Sequence, residues 1–196
     1  MSGTTRRIHR VGLGGLVLAI EPNRTAYRRL SDTLERECLV NVVTIQCAAY
    51  DRIGRHVSLV RRRLHQNTSS YVCEGASGKH PVLTSTVDYL ASKTTSGPVR
   101  LIKVDTEGAE LLVMRGAEQV LSESKPAVVL EVSRYSSRFG YTVNQLYDFM
   151  AARGYSHAYA IDDTPGRWSM SRPLTSVVEG QILFCHPHSA CMLGLA

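Results

Sequence analysis

Residues able to do acid–base chemistry crowd into one stretch, Arg100-Leu101-Ile102-Lys103-Val104-Asp105-Thr106-Glu107-Gly108-Ala109-Glu110. A lysine beside carboxylates can orient a substrate oxygen, and a carboxylate can take the proton of a hydroxyl. Leu101, Ile102 and Val104 form a short apolar run in which Lys103 is the one charge. Bounded by Gly97-Pro98 and by charges, that run predicts a buried strand. Asp105 stands at its end. Glu107 and Glu110 then fall in the first turn of a predicted helix over 107–121, where negative charge suits the helix dipole. Open α/β sheets bind ligands beyond the carboxyl ends of their strands, so acids there mark a candidate site. The same residues also read as helix-start residues, with Asp105 as the cap.

A second acid has the same setting. Leu16-Val17-Leu18-Ala19-Ile20 is a continuous apolar run, and Glu21 ends it before Pro22-Asn23. A carboxylate at such a strand end accepts hydrogen bonds from ribose hydroxyls in nucleotide-binding sheets. Its plain alternative is a solvated turn residue.

The elements that must position these acids alternate. After the strand over 16–20, Asn23 caps a helix reaching about residue 38, with Tyr27, Leu30 and Leu34 on one face. Further strands are expected over 42–46, 56–60, 82–84, 101–104, 127–132, 155–161 and 177–185. Helices are expected over 86–93, 107–121 and 143–153, with Gly116 packing closely or weakening its helix. Residues 61–79 read as a polar loop with a short strand at 70–73, and 162–173 as a loop holding Trp168. Strand–helix alternation with apolar strands predicts a mostly parallel sheet covered on both faces.

Bulk properties narrow the function classes. A chain of 196 residues is expected to form one domain with a full core. Hydrophobic content of 43% and charged content of 20% are those of an ordinary globular protein. No apolar run approaches the roughly 20 residues that span a bilayer, so no membrane span is expected. The five cysteines, Cys38, Cys47, Cys73, Cys185 and Cys191, are scattered and odd in number. They read as free thiols in a reducing, cytoplasmic setting. The net charge of +6 is mild, and no aromatic stacking platform accompanies it, so no nucleic-acid partner is expected.

Five blocks together resemble a family. They are Leu18-Ala19-Ile20-Glu21-Pro22-Asn23, Gln46-Cys47-Ala48-Ala49, the block from Ile102 to Glu110, Met114-Arg115-Gly116-Ala117, and Pro126 through Glu131-Val132-Ser133. In order and spacing they are similar to the FkbM-type S-adenosylmethionine-dependent methyltransferases, over about residues 11–161. The resemblance implies a class I methyltransferase fold, Rossmann-like with an antiparallel last strand. It implies S-adenosyl-L-methionine as cofactor and O-methylation of a hydroxyl on a small molecule or sugar. Carried over by position, Glu21 would hold the adenosine ribose, Cys47-Ala48 would lie against the adenine, and Asp105 would also touch the cofactor. Lys103, Asp105, Glu107 and Glu131 would border the methyl-transfer site, with Asp105 or Glu107 as general base.

The departure from the family lies at the start. Such enzymes open with a strand and a glycine-rich cofactor loop ahead of the strand that ends at Glu21. Only Ser2 to Gly15 precede that strand here. Gly12-Leu13-Gly14-Gly15 precedes a strand where a cofactor loop follows one, and reads as an ordinary turn. The expectation is a methyltransferase-like domain incomplete at its amino terminus, without the first strand. The rival reading is a non-catalytic, truncated relative that acts as a binding module. Arg61-Arg62-Arg63 reads as a solvated basic loop. Cys185, His186, His188 and Cys191 lack a recognised zinc spacing, and no metal site is expected.

Overall fold

A computed structural model describes residues 15–64, 67–74, 81–95, 97–162, 169–171 and 174–195. The expectations for the amino-terminal turn and missing first strand, and for Trp168, lie outside the described residues. Strand β1 (Val17–Ile20) leads through helix α1 (Arg24–Arg36) to β2 (Val42–Ile45), which lies parallel to β1 with Val17 opposite Val42. Asn23 caps α1 through its side-chain oxygen, which accepts from the Thr25 amide at 2.9 Å and the Ala26 amide at 3.1 Å.

A four-stranded sheet follows. It comprises β3 (Ala48–Ala49), β4 (His56–Leu64), β5 (Asn67–Glu74) and β6 (Pro81–Ser85), in the order β3-β6-β4-β5. Here the sequence reading is corrected. Residues 61–64 continue β4, and the backbones of Arg61, Arg62 and Arg63 pair with those of Ser70, Ser69 and Thr68 of β5. The polar composition of this hairpin hid the strands, because apolar alternation is the signal that reveals one.

The remaining elements build a five-stranded sheet. They are α2 (Val87–Thr94), β7 (Leu101–Val104), α3 (Glu110–Arg115), α4 (Glu118–Glu123), β8 (Ala127–Val132), a 3-10 turn (Arg134–Phe139), α5 (Val143–Ala151), β9 (His157–Asp162), β10 (Ser169–Met170), β11 (Gly180–Cys185) and α6 (Pro187–Met192). The strand order is β10-β9-β11-β8-β7. β7 and β8 are parallel, whereas β11 runs antiparallel between β8 and β9. The fold is therefore mixed α/β, and the expectation of a mostly parallel sheet is corrected. Among the described residues three strand pairs are parallel and five antiparallel. The antiparallel share comes from the β4–β5 hairpin and its neighbour β6, and from β11 and β10 flanking β9.

One face of the larger sheet, with Ile102, Val104, Val128, Leu130, Ile182 and Phe184, packs on α3, α4 and α5 through Leu111, Met114, Leu121, Leu146 and Met150. The other face packs Ala127, Leu183 and Cys185 against Ala190 of α6, a helix the sequence reading left as a tail. Helix α3 joins two cores. Leu111 and Met114 enter the first, while Ala109 at its cap and Leu112 enter a second with Ala48, Tyr50, Val57 and Val82. A helix buried on every side, as Glu110 to Met114 are here, is a core element.

Two strands are less enclosed than their apolar runs predict. All four residues of β1 are half-buried, and in β7 Leu101 is 61% exposed while Ile102 and Val104 are buried. Among the described residues each of these strands has a ladder on one edge only.

Candidate active site

The acids converge through strand register. Val104 of β7 lies opposite Leu130 of β8 in a parallel pair, so the next residues, Asp105 on one strand and Glu131 on the other, stand side by side at the carboxyl end of the sheet. Their carboxyl groups come within hydrogen-bonding reach of each other. Lys103, two residues before Asp105 on the same face, brings its Nζ to 3.6 Å from Asp105 Oδ2. Gln181 of β11 lies opposite Glu131 on the far side of β8. Asp105 and Lys103 are partly open to solvent, with side chains 45% and 38% exposed.

The carboxyl of Glu131 is pushed up to about 8. The hydrogen bond to Asp105 is the largest cause, burial adds to it, and the charges of Asp105 and Glu107 act in the same direction; Lys103 opposes them. Like charges this close favour a proton on one of them.

The loop after β7 departs from the expected helix. Helix α3 begins at Glu110, and Glu107 precedes it with a left-handed backbone, φ 58°. Asp105 is not the cap: Ala109 occupies that position and offers no side-chain hydrogen bond. The loop is held instead by Glu110, which is fully buried. Its Oε1 accepts from the Thr106 amide at 3.2 Å, the Thr106 hydroxyl at 3.0 Å and the Gly108 amide at 3.0 Å. The Tyr141 hydroxyl donates to the Gly108 carbonyl at 2.6 Å, accepts from the Leu111 amide at 3.2 Å and lies 3.3 Å from Glu110 Oε2. A left-handed non-glycine residue costs about 1–2 kcal/mol, and it persists where surrounding contacts over-determine it. Gly108, at φ 114°, is the residue the loop requires, since a Cβ there would lie 2.6 Å from the Tyr135 carbonyl carbon.

Tyr141 is the member of this site that the sequence reading missed. It lies 33 residues from Gly108 in the chain, and no local pattern marks it.

The expected cofactor residues occupy a different place. Glu21 follows β1 and is half-buried; burial raises its carboxyl, while the hydrogen bond from the Asn23 amide to its Oε1, at 2.7 Å, lowers it. Cys47 and Ala48 are buried, and burial pushes the Cys47 thiol up to about 11, so it stays a thiol at neutral pH. Ala48 shares its core with Ala109 and Leu112, which ties this stretch to the base of the acidic loop. Just beyond it, Asp51 Oδ1 is buried with no hydrogen-bond partner among the described residues. No hydrogen-bonded ladder joins the sheet that ends at Glu21 to the sheet that ends at Asp105 among the described residues.

The sequence profile of the methyltransferase FkbM domain matches residues 1–156, most of the chain. The chain belongs to the FkbM methyltransferase family. A crystal structure of Methyltransferase FkbM from Methylobacillus flagellatus KT has a similar fold, with a TM-score of 0.54 at 18% identity. The likeness covers 86% of this chain and 36% of that one, so this FkbM-family chain spans about a third of the length of its structural neighbour. No curated protein matches it in sequence. Within the family frame, the acidic loop, Gly116 and the β8 acid are the residues the sequence blocks singled out. Gly116 packs so closely on the Tyr50 carbonyl that a Cβ would collide with it.

At the carboxyl terminus, the His186 ring caps α6, with Nδ1 accepting from the His188 amide at 3.1 Å. Burial is the first cause that lowers its protonation, followed by the charges of Lys125 and His188. Among the described residues no group of three or more His, Cys, Asp or Glu side chains is placed to hold a metal ion. No helix among them is long and apolar enough to cross a membrane.

Proposed function

We propose that this chain carries the site of an S-adenosylmethionine-dependent methyltransferase that acts on a hydroxyl of a small molecule or sugar. The observation that carries the reading is the meeting of Lys103, Asp105 and Glu131 at the carboxyl ends of two adjacent parallel strands, in a chain of the FkbM family.

The cofactor's chemistry suits the donor set. Glu21 is a fixed, half-buried carboxylate able to accept from ribose hydroxyls, and Asp51 Oδ1 is a buried acceptor without a donor among the described residues. Glu21, the Cys47-Ala48 stretch and Asp51 would hold the cofactor, which supplies a methyl group activated by a sulfonium. The protein's remaining work is positioning and proton handling. An acceptor hydroxyl gives up its proton to a carboxylate oxygen of Asp105 or Glu107 as its oxygen becomes the nucleophile. Lys103 Nζ donates to the acceptor and orients it. Glu110 and Tyr141 keep the loop that carries both acids in one conformation.

Calorimetric titration with S-adenosylmethionine tests the reading. Micromolar binding that is lost in Glu21→Ala is the expected result. A folded chain that binds no cofactor removes the reading and leaves the non-catalytic relative in its place.

A further inference from the structure

We propose that the cavity beside α6, at the amino ends of β7 and β8, is a second binding site that takes an amphipathic anion, a short apolar chain or ring ending in one anionic group. It lies at the other end of β7 from Asp105 and does not depend on the methyltransferase reading. Three segments wall it: residues 98–101 leading into β7, residues 124–127 leading from α4 into β8, and residues of α6 with Leu193 behind it. The space between them is about 280 Å³, near the lower end of small-molecule sites. The walls are tied to one another. The Val99 amide donates to Ser124 Oγ at 3.3 Å, and the Ala127 amide donates to the Arg100 carbonyl at 3.0 Å. Ser189 Oγ donates to the His186 carbonyl at 3.0 Å, and Ala190 shares its core with Ala127, which fixes α6 against the sheet.

Two properties of the lining specify the ligand. The first is apolar surface. Leu101, Met192 and Leu193 are each more than half exposed, and all three border this cavity, together with Pro98 and Pro126. Single exposed apolar side chains are ordinary, but several gathered around one concavity mark a binding surface. The second is charge. Arg100, Lys125 and His188 border the same space, and no carboxylate does. Among the described residues none of the three is in an ion pair. The charges of Lys125 and His188 both act on His186, which sets them close together at this end of the sheet. Apolar walls with cations and no acid complement an apolar body with an anionic head. The Arg100 guanidinium can hold such a head through two parallel hydrogen bonds. At roughly 30 Å³ for each water-sized group, the 280 Å³ accepts about nine of them, which suits an octyl chain.

The test is a titration of the intact chain with octanoate and with octyl phosphate, which separate the two common anionic heads. Calorimetry reads affinity, and NMR of methionine methyl and backbone amide signals reads location. Saturable binding of at least one anion is expected, with the Met192 methyl and the Leu101 and Leu193 amides moving and the loop from Asp105 to Glu110 at rest. Octanol lacks the charge and acetate lacks the chain, and each is expected to bind on the order of tenfold more weakly or worse. Arg100→Gln combined with Lys125→Asn is expected to weaken the anion on the order of tenfold, as the loss of charge-assisted contacts requires. Asparagine suits the left-handed backbone at Lys125, φ 47°. Should that double variant fail to fold, Leu101→Glu at an exposed position places a like charge at the cavity and abolishes binding. The site is overturned if neither anion binds saturably, if octanol binds as tightly as octanoate, or if the shifts centre on the acidic loop. It is also overturned if the Met192 signal broadens with protein concentration and neither anion competes, which makes this face an interface between copies of the chain. No cofactor is present in these titrations, so their failure leaves the methyltransferase reading to its own titration with S-adenosylmethionine.

Discussion

Glu110 and Glu107 show how two acids in one motif divide their work. Glu110 is buried and spends its oxygens on the loop; Glu107 has a left-handed backbone, and its charge acts on Glu131. Replacing Glu110 by alanine leaves the Thr106 and Gly108 amides without acceptors. The expected loss is about 2 kcal/mol or more in urea denaturation. Glu131 makes a pH prediction with a definite sign. Its carboxyl is raised in the folded chain, so the native state holds a proton that the unfolded chain releases in the ordinary range. This contribution to stability is complete below the ordinary carboxylate range, declines as the unfolded chain ionises, and is lost once pH has risen through about 8. Thermal unfolding followed across that interval is expected to show a falling melting temperature, with a shallower fall in Glu131→Gln. Gly116 is a third case. Alanine there meets the Tyr50 carbonyl and is expected to cost about 1–3 kcal/mol in the same denaturation assay.

Helices α3 and α4 illustrate what decides an element. The sequence from 107 to 121 reads as one helix because its apolar residues keep helical spacing. The structure breaks it at Gly116-Ala117, where the chain must pass against Tyr50. The new amino terminus of α4 has no local cap. Asp88 of α2 supplies one, accepting from the Gln119 amide at 3.0 Å and the Val120 amide at 2.9 Å. Asp88→Ala is expected to lower stability by about 1 kcal/mol, the usual worth of a helix cap. Thermal denaturation by circular dichroism measures it, and Asp88→Asn, which keeps an acceptor, recovers part of the loss. Local chemistry was enough where the signal is local. Asn23 caps α1, and Thr142 with Gln145 closes a capping box on α5. It was insufficient where the partner is remote, as with Asp88, and where polar residues hide the strand pattern, as in the hairpin of β4 and β5.

At the scale of the molecule, cofactor binding should appear as stabilisation. A ligand bound by the native state alone raises stability by about 2.7 kcal/mol when present at about 100 times its dissociation constant. A rise in melting temperature with S-adenosylmethionine, absent in Glu21→Ala, is the expected result. The sequence by itself determined the family, the positions of most strands and helices, and the candidate acids. Those signals are short-range: apolar runs, capping residues, and motif blocks whose order survives in the chain. Tertiary structure decided which acids meet and which do not. The β7–β8 register joined Asp105 to Glu131 across 26 residues of chain, and Tyr141 reached back to Gly108. It also buried Glu110, in the first turn of its helix, as a clamp on the acidic loop, and left Leu101 exposed on a strand whose sequence reads as core. The reason is physical. Burial, charge pairing and strand neighbours are properties of the packed chain, and a pattern along one segment carries no record of what comes to lie beside it.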